Sequence, residues 1–74
     1  MNIRVEKRIG KNIRNIRERI GMTQEVLAIK LQLRGCDITR SAVAKIEVGQ
    51  RHLYVDEVIL LKEIFDVSYD EIFS

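Results

Sequence analysis

Apolar residues in the first third of the chain recur with the spacing of a helix. The positions that share one stripe are Val5, Ile9, Ile13, Ile16 and Ile20. They predict an α-helix over about residues 5–20, and Gly21 marks its end. Gly10 falls inside this pattern and weakens a helix by roughly 1 kcal/mol relative to alanine. We therefore expect the segment before Gly10 to fray.

A second helix is indicated by a start signal at Thr23, whose hydroxyl can accept from the first amides of the helix. The helix is predicted over about residues 24–33. Its inward face carries Leu27, Ala28 and Leu31. The next four residues are polar or small and have no periodicity, so they predict a loop. Ile38 is expected to enter the core just ahead of the third helix.

The third helix is predicted over about residues 40–48, with Thr39 as its cap and Gly49 as the left-handed residue that ends it. One face of this helix holds Ala42, Val43 and Ile46. The other face holds Ser41, Ala44, Lys45 and Val48. A small, polar face with one long cation suits insertion into a groove, although a solvated amphipathic helix would show the same pattern.

The fourth helix, predicted over about residues 55–65, is apolar around most of its circumference. Its apolar positions are Val55, Val58, Ile59, Leu60, Leu61, Ile64 and Phe65. They span roughly 260° at 3.6 residues per turn, more than a core-facing stripe needs. Ser68 and Glu71 form a capping-box pattern that opens a last turn over 69–73. The sequence predicts one all-α domain, residues 1–74, of five short helices.

The composition excludes several classes of function. Hydrophobic residues make up 46% of the 74-residue chain, and proline is absent. One cysteine and one histidine cannot form an internal disulfide or a zinc site. There is no glycine-rich phosphate loop and no activated nucleophile with its base, so we do not expect an enzyme. We also expect no cofactor, metal or small-molecule ligand.

The apolar runs are short, which bears on where the protein resides. Even a run such as 58–61 is far too short to span a membrane. The first ten residues lack the apolar segment of a secretory signal. We therefore expect a cytoplasmic protein that makes no membrane contact.

Charge is unevenly distributed along the chain. Residues 1–52 contain twelve lysines and arginines against five acidic residues, whereas residues 53–74 contain one against six. A basic front and an acidic rear fit a surface that binds a polyanion. A solvated mosaic of charges is the alternative.

These signals combine into one extended motif. A helix ending in Gly21-Met22 is followed by Thr23-Gln24-x-x-Leu27-Ala28-x-x-Leu31, and later by Thr39-Arg40-Ser41-x-Val43-x-Lys45-Ile46-Glu47-x-Gly49. The motif resembles the lambda-repressor/Cro type of helix-turn-helix domain, the xenobiotic-response-element (XRE) family of regulators. The ending Val67-Ser68-x-x-Glu71-Ile72-Phe73 also matches, so the resemblance covers roughly residues 9–73.

The resemblance implies a role for each matching position. The residues expected to face base edges in the major groove of DNA are Arg40, Ser41, Ala44 and Lys45. Those expected to contact the DNA backbone are Thr23, Gln24, Thr39, Gln50 and Arg51. The family also implies a buried ion pair between Arg17 and Glu47, which would hold the third helix to the first.

One stretch departs from the family pattern. The turn between the second and third helices is usually tight, whereas here residues 32–37 add about five positions. We expect the second helix to extend by a turn and the additional loop to bulge outward. This departure leaves open how the third helix approaches a DNA groove.

The resemblance implies a sequence-specific, double-stranded DNA-binding transcriptional regulator, in particular a repressor that acts by occupying its operator. The alternative is a protein-interaction module of the same fold, of the antitoxin or antirepressor-partner type. The surplus apolar surface of the fourth helix indicates a homodimer through helices four and five. Its expected interface residues are Ile59, Leu60, Ile64, Tyr69, Ile72 and Phe73.

Overall fold

A computed structural model describes residues 3–74 of the protein. Over that range the chain forms five helices and no strand: α1 (Ile3–Arg19), α2 (Gln24–Leu33), α3 (Arg40–Glu47), α4 (Val55–Phe65) and α5 (Tyr69–Phe73). The predicted all-α, five-helix fold is confirmed. α3 packs against both α1 and α2, while α5 covers α1 and α4 covers α2. None of the helices in this part of the chain is both long and apolar enough to cross a lipid bilayer.

Gly10 has a different role from the one predicted. α1 begins at Ile3 and runs through Gly10, so the glycine does not interrupt the helix. Gly10 is buried, and a Cβ atom at this position would collide with the carbonyl oxygen of Ile46 and lie 2.9 Å from that of Glu47. The glycine therefore lets the backbones of α1 and α3 approach closely.

Side-chain caps start three of the helices. The hydroxyl of Thr23 accepts from the amide of Val26 at 3.1 Å, and that of Thr39 accepts from Ala42 at the same distance. At α5 the hydroxyl of Ser68 accepts from the amide of Glu71 at 3.2 Å. Each cap satisfies one of the amides that a helix leaves without an internal partner. The caps fix where α2 and α3 begin.

The core lies where α1, α2, α3, α4 and α5 meet. Its buried apolar residues are Ile13, Ile16, Leu27, Ala28, Leu31, Ile38, Val43, Ile46, Leu61, Phe65 and Ile72. Ile9 packs against this cluster from the rim, whereas Ile20, the last residue of the predicted stripe, is exposed. α1 ends at Arg19, so Ile20 lies outside the helix.

The apolar circumference of α4 is mostly used within the domain. Val58, Leu61 and Phe65 are buried, and Leu60 and Ile64 pack partly against the core. Of the seven apolar residues, Val55 and Ile59 are the two left exposed, at 77% and 42%.

One residue of the expected dimer interface is placed elsewhere. Ile72 is completely buried, and the side-chain amide of Asn12 donates to its carbonyl at 3.0 Å. Ile72 points into the core because α5 packs against α1, so it cannot contact a second subunit. The assignment of Ile72 to an intersubunit surface was wrong.

The long connection between α2 and α3 is tied down at both ends. The amide of Cys36 donates to the carbonyl of Leu31 at 3.0 Å, which closes the turn after α2. The side-chain amide of Gln32 donates to the carbonyl of Ile38 at 2.7 Å. Ile38 is buried, as its position predicted. The additional residues thus form a compact turn between two anchors.

Candidate nucleic-acid interface

The outer face of α3 presents the residues expected to read bases. Arg40, Ser41 and Lys45 are exposed, and Ala44 between them is half-buried. The opposite face carries Val43 and Ile46, which are buried. The inward stripe therefore fixes the rotation of α3, and with it the direction of the outer side chains.

The start of α2 lies beside the start of α3. Thr23 and Gln24 line an open groove of about 860 Å³ together with Arg14 and Arg40. The amides of Val26 and Leu27 bond to Thr23, so the two amides before them lie at the positive end of the helix. Glu18 and Glu25 also line the groove, but its backbone donors and its three arginines suit an anion such as a phosphate.

Arg17 and Glu47 form a buried ion pair behind this groove. Nε of Arg17 lies 2.6 Å from Oε2 of Glu47, and Nη2 lies 3.0 Å from Oε1. The side chains are 9% and 1% exposed. Nη1 donates to the carbonyl of Met22 at 2.7 Å, so one guanidinium holds α1, α3 and the turn before α2 together.

Gln24 joins the same network. Its side-chain amide donates to Oε1 of Glu47 at 3.0 Å. The hydrogen bond to Glu47 raises the pKa of Arg17 above its usual value, so the guanidinium stays charged. Sequence reasoning missed the contact between Gln24 and Glu47 because the residues are distant in sequence and belong to different helices.

Comparison with known proteins identifies the family to which this fold belongs. A family model described as Helix-turn-helix matches residues 13–72. The chain belongs to this helix-turn-helix family. A search of curated proteins found no match.

Two solved structures share the fold of this helix-turn-helix chain. The restriction-modification controller protein C.AhdI from Aeromonas hydrophila is 27% identical, with a TM-score of 0.83 and 96% of each chain covered. The DNA-binding domain of BldD is 24% identical, with a TM-score of 0.84 and both chains covered completely. The second likeness shows the fold alone.

Arg51 is held by the protein's own carboxylate rather than directed outward. Its Nη1 and Nη2 donate to Oε1 and Oε2 of Glu57 at 2.9 and 3.0 Å. Nη1 also donates to the carbonyl of His52, and the guanidinium carbon lies 5.5 Å from the ring centre of Tyr54. Its five donors are therefore partly used within the domain, and the expected contact of Arg51 with the DNA backbone stays a prediction.

The two remaining residues predicted to contact the DNA backbone are Gln50 and Thr39. Gln50 is exposed just past the end of α3, and its main-chain amide donates to the carbonyl of Lys45 at 2.8 Å. Thr39 is exposed and uses its hydroxyl as an acceptor for the cap of α3. That hydroxyl still has a proton to donate to an oxygen of a bound molecule.

Glu57 is a buried acid whose structural role the sequence did not reveal. Its carboxylate accepts from Arg51 and from the amide of Tyr54, at 3.0 Å for the latter. Burial raises the pKa of Glu57, but these hydrogen bonds outweigh it, so the pKa lies below its ordinary value. The ionised side chain therefore ties the loop after α3 to the first turn of α4.

Cys36 lies half-buried against the same carboxylate, with its Sγ 3.9 Å from Oε2 of Glu57. Burial, followed by the negative charge of Glu57, raises the pKa of the thiol above its usual value. A thiol in this environment is a weak nucleophile at neutral pH. Within residues 3–74 no cluster of three or more histidine, cysteine or acidic side chains could hold a metal ion.

Proposed function

We propose that this protein is a sequence-specific, double-stranded DNA-binding transcriptional regulator, and that it represses by occupying its operator. The observation that carries the proposal is the exposed row of Arg40, Ser41 and Lys45 on α3, directly beside the groove at the start of α2. Membership of the helix-turn-helix family and the likeness to a restriction-modification controller protein support it.

In the proposed mechanism, two surfaces of the protein contact different parts of the DNA. Backbone amides at the start of α2, with Thr23 and Gln24, hold phosphates and set the register of the domain. Arg40 and Lys45 then donate to base edges in the major groove, where guanine offers two acceptors, and Ala44 packs on a thymine methyl group. Operator occupancy blocks access of the polymerase.

The proposed DNA-bound form of the protein is a homodimer. It places two α3 helices one turn of DNA apart, about 34 Å. The supporting surface joins α4 and α5: Ile59, Tyr69 and Phe73 are exposed, the two aromatic rings stack at 6.5 Å, and the ammonium of Lys62 lies 5.2 Å from Tyr69. Leu60 and Ile64 border this surface from the core side. A second copy of the chain would bury it.

Selection of duplexes from a random pool tests DNA recognition. The selected sites should share a sequence, and Arg40→Ala should relax preference at defined bases at a cost of about 1–3 kcal/mol. Gln24→Ala should weaken binding to all duplexes nearly equally, because phosphates carry no sequence information. Arg34→Ala, which removes an exposed arginine from the turn after α2, is the control and should change neither property. An unchanged site preference for Arg40→Ala would contradict the proposal.

Sedimentation at tens of micromolar tests the dimer. The free chain, or the chain on a palindromic duplex, should sediment as two copies, and Phe73→Asp should favour one copy. An 8.6 kDa monomer in solution, bound singly to such a duplex, would refute the dimer.

A second candidate function is a protein-interaction module. The specific observation in its favour is an exposed apolar row on α2, formed by Val26, Ile29 and Leu33 at helical spacing. If the random pool yields no enriched duplex and Arg40→Ala has no effect, while Ile29→Asp abolishes binding to a protein partner, this second function is the correct one.

A further inference from the structure

A row of exposed cations runs along α1, on the side that faces the end of α3. Lys7, Lys11 and Arg14 follow one another at spacings of four and three residues, and all three are exposed. With Val48 at the end of α3, they line an open groove of about 520 Å³. We call these three residues the α1 cation row.

Two close contacts fix the position of the α1 cation row relative to α3. Gly10 packs on the carbonyl groups of Ile46 and Glu47, so the middle of α1 lies against the last turn of α3. Lys7 lies directly against Gly49, just past that turn. At 100° per residue, Lys7 and Arg14 project about 40–60° around α1 from Gly10. The cation row therefore borders α3 rather than the opposite side of the domain.

Arg14 connects the two grooves of this surface. It lines the groove beside the α1 cation row and also the groove at the start of α2, where Thr23 and Gln24 lie. A polyanion that follows the second groove can therefore continue along α1 without crossing an uncharged gap. The row spans about 10 Å at 1.5 Å per residue. Because one DNA strand carries a charge about every 3.4 Å of axis, this length matches about three phosphates.

The acidic residues in this groove do not oppose an anion strongly. The carboxylate of Glu47 already accepts from Arg17 and Gln24. Glu18 lies 3.5 Å from Arg14, but both side chains are more than half exposed. Such a pair contributes little in water, so Arg14 can exchange Glu18 for a phosphate at small cost.

We propose that the α1 cation row is a second contact to the DNA backbone, continuous with the one at the start of α2. It contributes affinity that does not depend on base sequence, and it lengthens the footprint along one strand. This inference rests on the proposed function, since the anion in question is the phosphate backbone of the same bound duplex.

The test compares two triple variants of equal net charge in the full chain. Lys7→Gln/Lys11→Gln/Arg14→Gln removes the α1 cation row. The control is Arg19→Gln/Lys30→Gln/Arg34→Gln. Arg19 is the last residue of α1 and pairs with Glu71 of α5 at 3.0 Å, and the other two lie late in α2 and in the turn that follows it. The measurement is the slope of log affinity against log salt concentration on the selected duplex.

Removal of the row should reduce the magnitude of this slope by about two to three for each subunit bound, at about 0.9 per phosphate released, and should leave the preferred site unchanged. The control should keep the slope within about 0.5 of the parent value. Equal losses in both triple variants would overturn the inference, as would an unchanged slope in the first.

Two further outcomes separate the inference from the proposed function. If the parent binds no duplex at any salt concentration, the proposed function fails and the inference falls with it. If the parent selects a site but removal of the α1 cation row leaves the salt slope unchanged, the inference alone fails. Should circular dichroism show that the triple variant is unfolded, Lys11→Gln alone replaces it, with an expected loss of about 0.9 in slope for each subunit bound.

Discussion

Replacement of Glu47 by alanine should destabilise the protein far more than loss of a surface charge. Glu47 is almost fully buried and accepts from both the guanidinium of Arg17 and the side-chain amide of Gln24. The variant leaves the buried guanidinium of Arg17 hydrogen-bonded to the carbonyl of Met22 but without its carboxylate partner. Removal of one member of a buried ion pair leaves the other charge unpaired and lowers the free energy of unfolding by about 3–5 kcal/mol.

This magnitude is measurable by thermal denaturation. For a domain of this size each kcal/mol shifts Tm by about 4–8 °C, so Glu47→Ala should lower Tm by at least about 12 °C. The matched control is Glu71→Ala, which removes the carboxylate that lies 3.0 Å from Arg19 in a pair 61% and 47% exposed. Water screens that pair, so its loss should cost less than about 1 kcal/mol.

A third variant separates the effect of an unpaired buried charge from the effect of lost side-chain volume. Arg17→Met/Glu47→Leu removes both charges and retains apolar bulk, so it should recover most of the stability that Glu47→Ala loses. If the Tm of Glu47→Ala equals that of the parent, or falls no more than that of Glu71→Ala, the reasoning about a buried ion pair is refuted.

Two more substitutions test a contact between α1 and α3 and the contacts of a buried acid. Gly10→Ala should lower the free energy of unfolding by about 1–3 kcal/mol in urea titrations, although alanine favours helices, because its Cβ would collide with the carbonyl of Ile46; a more stable variant would contradict this. The depressed pKa of Glu57 means that its contribution to stability is present above the unfolded value, 4.5, and is lost as pH falls through the lower folded value. Glu57→Gln should therefore flatten the acid side of the pH–stability curve, and an unaltered curve would argue against the ion pair with Arg51.

The helical architecture could be predicted because each helix carries its own local signals. Thr23 and Thr39 mark starts, and the apolar stripe of α1 reports its buried side directly. The residues that sequence reasoning misplaced depend on contacts between distant segments. Gly10 looks like a weak point in a helix until α3 is placed against it, and Ile72 looks available to a partner until α5 is placed on α1.

The ion pairs of Glu47 and Glu57 also differ in whether the sequence predicts them. Resemblance to a family predicts the pairing of Arg17 with Glu47, whereas helical periodicity places Arg17 only at the border of a stripe. No such guide existed for Arg51 and Glu57, which are six residues apart in sequence and meet across the loop that leads into α4. Interaction with the helix dipole already explains an acid in the first turn of a helix. The sequence therefore does not indicate that Glu57 also pairs with Arg51.

The long turn between α2 and α3 need not change how α3 is presented. At the start of α2, Gln24 donates to Glu47 at the far end of α3, and at the end of α2, Gln32 donates to the carbonyl of Ile38 just before α3. Both ends of α2 are thus tied to the segment that carries α3, and the added residues lie between two fixed points. The angle between the helices is set by these contacts and by the buried side chains of Leu31 and Val43, not by the length of the turn. An insertion of this kind is accommodated because doubling the length of a loop costs only about 0.6 kcal/mol more in closure entropy.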